Sequence, residues 1–233
     1  YANGFIEISG TLNEPLFKGK TEFKNSELRV DFLNVFYDFQ GELLFDNDNI
    51  LFHNFTIADK EGNEGVITGN IAHSGFKETT LTIDINAKKL LLLNTSRNEN
   101  SSFYGTAFGT GTVKIVGPVN NLSIKSKATT EKGSKIFIPL SSNNVVSTKE
   151  YISFVDLSKN NGADNRINEI VNTNLGGITF DMDLTVTNDA YVELIFDIRT
   201  GDIIRGRANG NLNMTLDTDG QFAYRLTIDS SGN

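Results

Sequence analysis

The sequence predicts an all-β fold in which short strands repeat along an elongated sheet. Apolar and polar residues alternate strictly over long stretches, most clearly from 178 to 198, and residues two apart lie on the same face of a strand. A glycine-bounded segment also recurs: 4–10 and 111–117 share one spacing, and 65–69 and 206–210 are shortened copies. Stacked short strands are typical of an extended sheet or a solenoid rather than a closed sandwich.

The stretch from 178 to 198 is predicted to form a hairpin with one apolar and one polar face. Its apolar residues stop at Val186 and resume at Val192. Asn188 and Asp189 lie between them and tolerate the positive φ that a tight turn requires.

Clusters of Gly, Asn and Asp separate the other strand-length segments. Asp219 and Gly220 form the clearest tight-turn signal, and only 165–171 indicates a helical turn. The predicted strands, besides the hairpin, are 5–9, 16–23, 27–32, 35–45, 50–58, 65–73, 80–87, 105–116, 122–129, 135–140, 151–155, 203–216 and 222–228.

The predicted strands fall into one continuous domain with a possible break. Residues 1–157 form a first β segment, 158–177 a polar loop or break, and 178–233 a continuation of the β segment. The chain of 233 residues is long enough to bury a core of normal size.

Composition excludes several classes of partner and site. The net charge of −8 argues against nucleic acid, because affinity for a phosphate backbone comes from clustered Lys and Arg. The chain has no cysteine, so disulfides and thiolate sites are absent. The longest apolar run, Leu90 to Leu93, is too short to span a bilayer. Because the sequence begins without Met, we expect a piece of a longer protein, with any anchor or signal outside it.

No arrangement of residues indicates catalysis or a metal. The only two histidines, His53 and His73, lack partners at zinc-ligand spacing, so we expect surface or edge-strand positions for both. The run 46–49 reads Asp-Asn-Asp-Asn, but without the Gly and Glu of a calcium loop it is predicted to be a hairpin turn. Asp181 and Asp183 could pair for acid–base chemistry, but alternating strands also place solvated carboxylates this way. We expect no enzyme activity, no metal and no cofactor.

Several motifs together resemble one known family. They are Tyr104-Gly105-Thr106-Ala107, then Gly111 to Ile115 followed by Gly117-Pro118-Val119-Asn120-Asn121-Leu122, and finally Ile136-Phe137-Ile138-Pro139-Leu140. This pattern is similar to the TamB C-terminal domain family, part of the translocation and assembly module in the AsmA-like superfamily. The segments 4–15 and 206–220 resemble the same repeat.

The resemblance implies a sheet curled into an open half-pipe, a β-taco, with an apolar inner groove. It further implies a periplasmic location in a protein anchored in the inner membrane, and partnership with an Omp85-type, TamA-like outer-membrane barrel. The expected cargo is phospholipid or nascent barrel strands, carried from the inner to the outer membrane.

Alternation predicts which residues line such a groove, because one face of each strand is apolar. The last predicted strand would be an edge that pairs with a partner, with Arg225 as its only obvious protective charge. The predicted groove-lining residues are Ile83, Ile85, Val113, Ile115, Phe180, Met182, Leu184, Leu194, Phe196, Leu212 and Met214, and the predicted edge residues are Phe222, Tyr224, Arg225, Leu226 and Ile228.

One alternative remains open at this point. The apolar residues could instead fill a sealed β-sandwich core of an adhesin-like or carbohydrate-binding domain. Exposed aromatic residues such as Tyr37, Tyr151 and Tyr191 would then contact sugars. An open apolar trough would support the groove, and a sealed core would support the sandwich.

Overall fold

The computed structural model describes residues 1–75, 78–139, 167–169, 177–197, 202–207, 209–218 and 222–228. Within them the chain forms fifteen strands and no helix, which confirms the predicted all-β class. The strands are β1 (Ala2–Gly10), β2 (Pro15–Val30), β3 (Val35–Asn47), β4 (Asn49–Ala58), β5 (Glu64–His73), β6 (Thr79–Thr95), β7 (Tyr104–Pro118), β8 (Leu122–Thr130), β9 (Lys135–Pro139), β10 (Ile167–Glu169), β11 (Ile178–Val186), β12 (Tyr191–Asp197), β13 (Asp202–Gly206), β14 (Gly210–Leu216) and β15 (Phe222–Ile228).

All fifteen strands belong to one open sheet. Strands β1 to β8 follow one another as an antiparallel meander, and the order continues as β8-β11-β14-β15-β10. Strands β9, β12 and β13 lie off this path, where β9 pairs with β7 and β12, and β12 pairs with β13. The described residues therefore form an elongated single sheet, as predicted, and not the two packed sheets of a sandwich.

The predicted hairpin between 178 and 198 is wrong. β11 and β12 do not pair: β11 lies between β8 and β14, and β12 lies between β9 and β13. A two-residue turn at Asn188 and Asp189 would set Leu184 opposite Glu193 and put the two apolar sets on opposite faces. The chain instead interrupts the strand at 187–190 and continues in the same direction, which keeps the even-numbered apolar residues on one side.

Other local predictions also need correction or fall outside the described residues. The helical turn predicted for 165–171 is wrong over Ile167–Glu169, which is strand β10. The strand predicted at 151–155 and the turn residues Asp219 and Gly220 lie outside the described residues. β14 and β15, on either side of these two residues, pair antiparallel from Leu216 opposite Phe222 onward.

Bulges join segments that the sequence pattern separates. The predicted strands 16–23 and 27–32 form one strand, β2, whose pairing with β3 shifts between Phe23 and Ser26. Asn25 adopts φ +49° in this bulge, and Asn54 adopts the same φ in a second bulge on β4. Bulges of this kind increase the local twist and bend of a sheet.

The sheet curls strongly where the β2–β3 turn meets β6. In a flat sheet β3 and β6 would lie about 14 Å apart, since neighbouring strands are about 4.8 Å apart. Here the Tyr37 hydroxyl on β3 donates to the Leu91 carbonyl on β6 at 2.6 Å, and the Asn94 N–H donates to the Leu33 carbonyl at 2.9 Å. Since Tyr37 is buried on the apolar face, that face is on the inside of the curl.

Two groups of buried apolar residues form the core. One centres on Val35, Tyr37, Ile57, Ala87 and Leu90, inside the curl. The other gathers side chains from β6, β8, β9, β11, β12 and β14. None of the described residues forms a helix long and apolar enough to cross a bilayer.

Candidate binding surface

Strand register builds one continuous apolar face across the sheet. Directly opposed residues share a face, and one row of opposed residues runs from β1 to β15. The row passes through Gly4, Thr21, Leu43, Phe52, Gly69, Ile83, Ile115, Ile124, Phe180, Leu216 and Phe222. We refer to this side of the sheet as the apolar face.

The eleven predicted groove-lining residues lie on this face or in its core. Ile83, Ile115 and Phe180 belong to the row just described. A neighbouring row runs through Ile85, Val113, Ser126, Met182 and Met214, and Leu184 is opposed to Leu212. Leu194 and Phe196 on β12 join the core group that contains Leu184 and Met214. Their contact with a lipid stays a prediction.

Burial along the apolar face is lowest on β1, and it is high both inside the curl, at Val35 and Tyr37, and on β14. Ile8 on β1 is 67 % exposed, Ile83 and Ile115 are half-buried, and Met214 on β14 is buried. No second layer of strands covers β1 to β8 among the described residues. The face is thus open at β1 and buried inside the curl and near β14.

Sequence reasoning missed four phenylalanines that form an aromatic cluster on this face. Phe39 stacks on Phe55 with ring centroids 5.5 Å apart, and Phe23 and Phe52 pack against them at 5.5 and 5.3 Å. Alternation within 35–45 and 50–58 was the signal that could have found them. The bulges at Asn25 and Asn54 bring their rings together across three strands.

Opposite charges line the other, polar face. Asp84, Lys114, Lys125 and Asp181 are opposed in one row, and Lys114 Nζ lies 3.0 Å from Asp84. Asp181 and Asp183 are exposed here, as expected of a solvated strand face. The sheet therefore separates an apolar side from a charged one.

Exposed ion pairs on the polar face shift the pKa of their members. Lys20 donates to Glu42 at 2.9 Å, and this hydrogen bond raises the pKa of Lys20 and lowers the pKa of Glu42. His53 adds a second contact to Glu42 at 3.1 Å. Such exposed pairs contribute little to stability, because water and salt screen them.

A buried polar group fixes the curl from the edge of the apolar face. The Asp59 carboxylate is buried and accepts from the N–H groups of Glu61 and Asn63, and from the Leu91 N–H at 2.8 Å. The Leu91 backbone thus accepts a hydrogen bond from the Tyr37 hydroxyl at its carbonyl and donates one from its N–H to Asp59. Burial raises the pKa of the Tyr37 phenol, and the nearby Asp59 charge adds to the effect.

The predicted edge strand is only partly an edge. Phe222, at the start of β15, is opposed to Glu169 of β10, and Tyr224 to Ile167. Beyond Tyr224 no described strand pairs with that side of β15. β1 forms the opposite margin of the sheet, and all nine of its residues are exposed.

Two predicted surface residues are buried instead. His73 is 4 % exposed and meets the edge of the Phe17 ring at 5.7 Å, because it follows Ile71 by two residues on the apolar face. Tyr37 is 5 % exposed, so it does not offer a ring to sugars. Tyr151 lies outside the described residues. The described part of the chain holds no group of three potential metal ligands.

Comparison with known proteins identifies one family model. The model described as the TamB C-terminal domain matches residues 53–228, which extends from β4 through β15 and includes most of the apolar face. The curated proteins and the solved structures compared with the chain gave no match.

Proposed function

Since the chain belongs to the TamB C-terminal domain family, a family tied to outer-membrane assembly, we propose that its apolar face shields phospholipid acyl chains or nascent barrel strands from water. In this role it would form part of a periplasmic scaffold between the two membranes. It would act without chemistry of its own, as a surface along which an apolar segment lies.

The observation that supports this proposal is the row of mainly apolar residues from β1 to β15, which no second layer of strands covers over β1 to β8 in the described part of the chain. Exposing an acyl chain to water costs about 0.8 kcal/mol per methylene, so a lipid tail needs continuous cover. A strand of five residues spans about 17 Å, similar to the acyl region of one leaflet. A head group could then stay in water beyond the strand ends.

The same face is suited to a nascent barrel strand. Outer-membrane strands alternate apolar and polar residues, so one apolar side could lie on the sheet while the polar side faces water. The side of β15 beyond Tyr224, along which no described strand lies, could pair with a strand of an Omp85-type barrel. We propose that barrel as the partner at this end of the sheet.

A matched pair of substitutions tests whether the apolar face holds lipid. Ile115 is half-buried on the apolar face, and its neighbour Val116 is 46 % exposed on the polar face. We expect Ile115→Asp to keep its β-sheet circular dichroism, since the open trough lets the carboxylate reach water. It should lose most of the phospholipid that co-purifies with the chain from a double-membraned bacterium, as measured by native mass spectrometry.

Val116→Asp is the control and should retain the lipid. Equal lipid occupancy in both variants and in the unmodified chain would contradict the proposal. The proposal would also be contradicted if the unmodified chain carried no phospholipid and did not crosslink to nascent barrel strands.

A further inference from the structure

A small pocket opens on the polar side of the sheet where three strands are interrupted at the same level. The interruptions are the turn 131–134 between β8 and β9, the turn 187–190 between β11 and β12, and the gap between the end of β13 at Gly206 and the start of β14 at Gly210. Lys135 and Tyr191 are directly opposed, and Lys135 precedes the buried Ile136, so the pocket faces away from the apolar side. Its lining residues are Gly133, Ser134, Lys135, Tyr191 and Arg207.

Two cations are held at this pocket by uncharged groups. The Lys135 ammonium lies 5.2 Å from the Phe137 ring centroid and 5.5 Å from that of Tyr191. Arg207 Nη1 donates to the Asp189 carbonyl at 2.8 Å and to the Asn188 carbonyl at 3.5 Å. These contacts orient both side chains without neutralising them.

Neither cation has a carboxylate within 4.0 Å in the part of the chain that the structure describes. Two acidic side chains beside the pocket contact hydroxyl groups instead of these cations. Glu131 accepts from Thr110 at 2.7 Å, and Glu193 accepts from the Tyr191 hydroxyl at 2.6 Å. In a chain of net charge −8, two cations that are oriented at one pocket and form no ion pair among the described residues indicate a site for an anion.

We propose that this pocket binds a phosphate group between Lys135 and Arg207. Lysine acts as a point charge towards phosphate, and the guanidinium N–H groups not used by Asn188 and Asp189 can donate to its oxygens. Gly133 adopts φ +97° in the adjoining turn and leaves the pocket mouth without a side chain. The phosphate comes either from free solute or from the head group of a phospholipid, and the experiment below separates these sources.

The test titrates the full chain with inorganic phosphate and, separately, with monomeric dihexanoyl phosphatidic acid, and follows backbone amide shifts of Gly133 and Lys135 by NMR. We expect saturable shifts with at least one of the two probes. Lys135→Gln should weaken binding about tenfold or more, which corresponds to removal of one charge-assisted hydrogen bond. Lys135→Arg should restore most of the affinity.

The control is Lys132→Gln, which removes an exposed lysine from the same turn without touching the pocket lining and should leave binding unchanged. Binding of both probes with similar affinity supports recognition of the phosphate alone, and binding of the lipid probe only assigns the site to a head group. Absence of binding by both probes, or an equal loss in Lys132→Gln and Lys135→Gln, would overturn the proposal.

Discussion

At the scale of single residues, Gly69 occupies a position where the sheet leaves no room for a side chain. It adopts φ +127°, and a Cβ at this position would lie 2.0 Å from the Thr82 carbonyl oxygen. We expect Gly69→Ala to lower the free energy of unfolding by about 2–4 kcal/mol. The backbone at Thr82 must move away from the new Cβ, and residue 69 must keep a φ that alanine disfavours. Urea denaturation measures the change.

Gly206 provides the matched control. It ends β13, and a Cβ there would meet nothing within 4 Å. Gly206→Ala should therefore change stability by less than about 0.5 kcal/mol. A Gly69→Ala variant as stable as Gly206→Ala would show that the close approach at β5 is not a constraint on the fold.

Tyr37 makes the curl sensitive to alkaline pH. Burial raises the pKa of its phenol above the ordinary value of 10.0, so near and above pH 10 the unfolded chain loses this proton while the folded chain keeps it. The stabilisation is complete below the unfolded pKa and is lost as pH rises above it. We expect Tyr37→Phe to remove part of this decline and to cost about 1 kcal/mol near neutral pH through the lost hydrogen bond to Leu91.

Urea midpoints at pH 8 and pH 11 check this prediction. The loss of stability between the two pH values should be smaller in Tyr37→Phe than in the unmodified chain. An identical loss in the two proteins would mean that Tyr37 does not control the alkaline transition.

At the scale of strands, the parallel pairing of β8 with β11 joins the antiparallel meander to the rest of the sheet. Lys125 and Asp181 are directly opposed on the polar face, at a separation suited to a disulfide. We expect Lys125→Cys with Asp181→Cys to form an intramolecular disulfide under mild oxidation, detected by mass spectrometry. The pair Lys125→Cys with Glu193→Cys should stay reduced, and a disulfide in that pair instead would contradict the strand order.

Alternation predicted the strands better than it predicted their partners. The segments 65–73 and 105–116 appear almost as expected in β5 and β7, because a period of two specifies which side each residue faces. It does not specify which strand lies alongside, since many strands here carry the same pattern. Leu184 shows the limit: the hairpin turn proposed from Asn188 and Asp189 sets it against Glu193, a mismatch that was visible in the sequence.

The candidate surface was predictable for the same reason, and its exceptions have physical causes. Val113 and Ile115 follow from alternation alone. The aromatic cluster around Phe55 depends on bulges, whose positions arise from Asn residues with positive φ. Burial of Tyr37 and His73 depends on the curvature of the sheet. The alternation of residues along a strand does not show that β3 approaches β6.

At the scale of the whole molecule, the sheet has margins at which another chain could add. Cysteines in place of Arg225 and Thr227 lie on β15 beyond its pairing with β10. We expect them to crosslink in the intact envelope to an Omp85-type barrel or to a neighbouring segment of the same groove, since the margins of a sheet add strands readily. A protein that remains functional while neither site crosslinks would contradict edge pairing.

The parallel pairing of β8 with β11 also has a consequence for the order in which the molecule assembles. Thr130 and Thr187 bond across this junction although they are 57 residues apart in sequence, whereas the β4–β5 turn closes over only a few residues. Loop-closure entropy makes the distant contact about 2 kcal/mol harder to form than a six-residue turn. The meander from β1 to β8 should therefore form first, leaving β8 temporarily as an outer strand. The charges of Lys125 and Lys127 on β8 then disfavour pairing with another chain, and so aggregation, until β11 covers that edge.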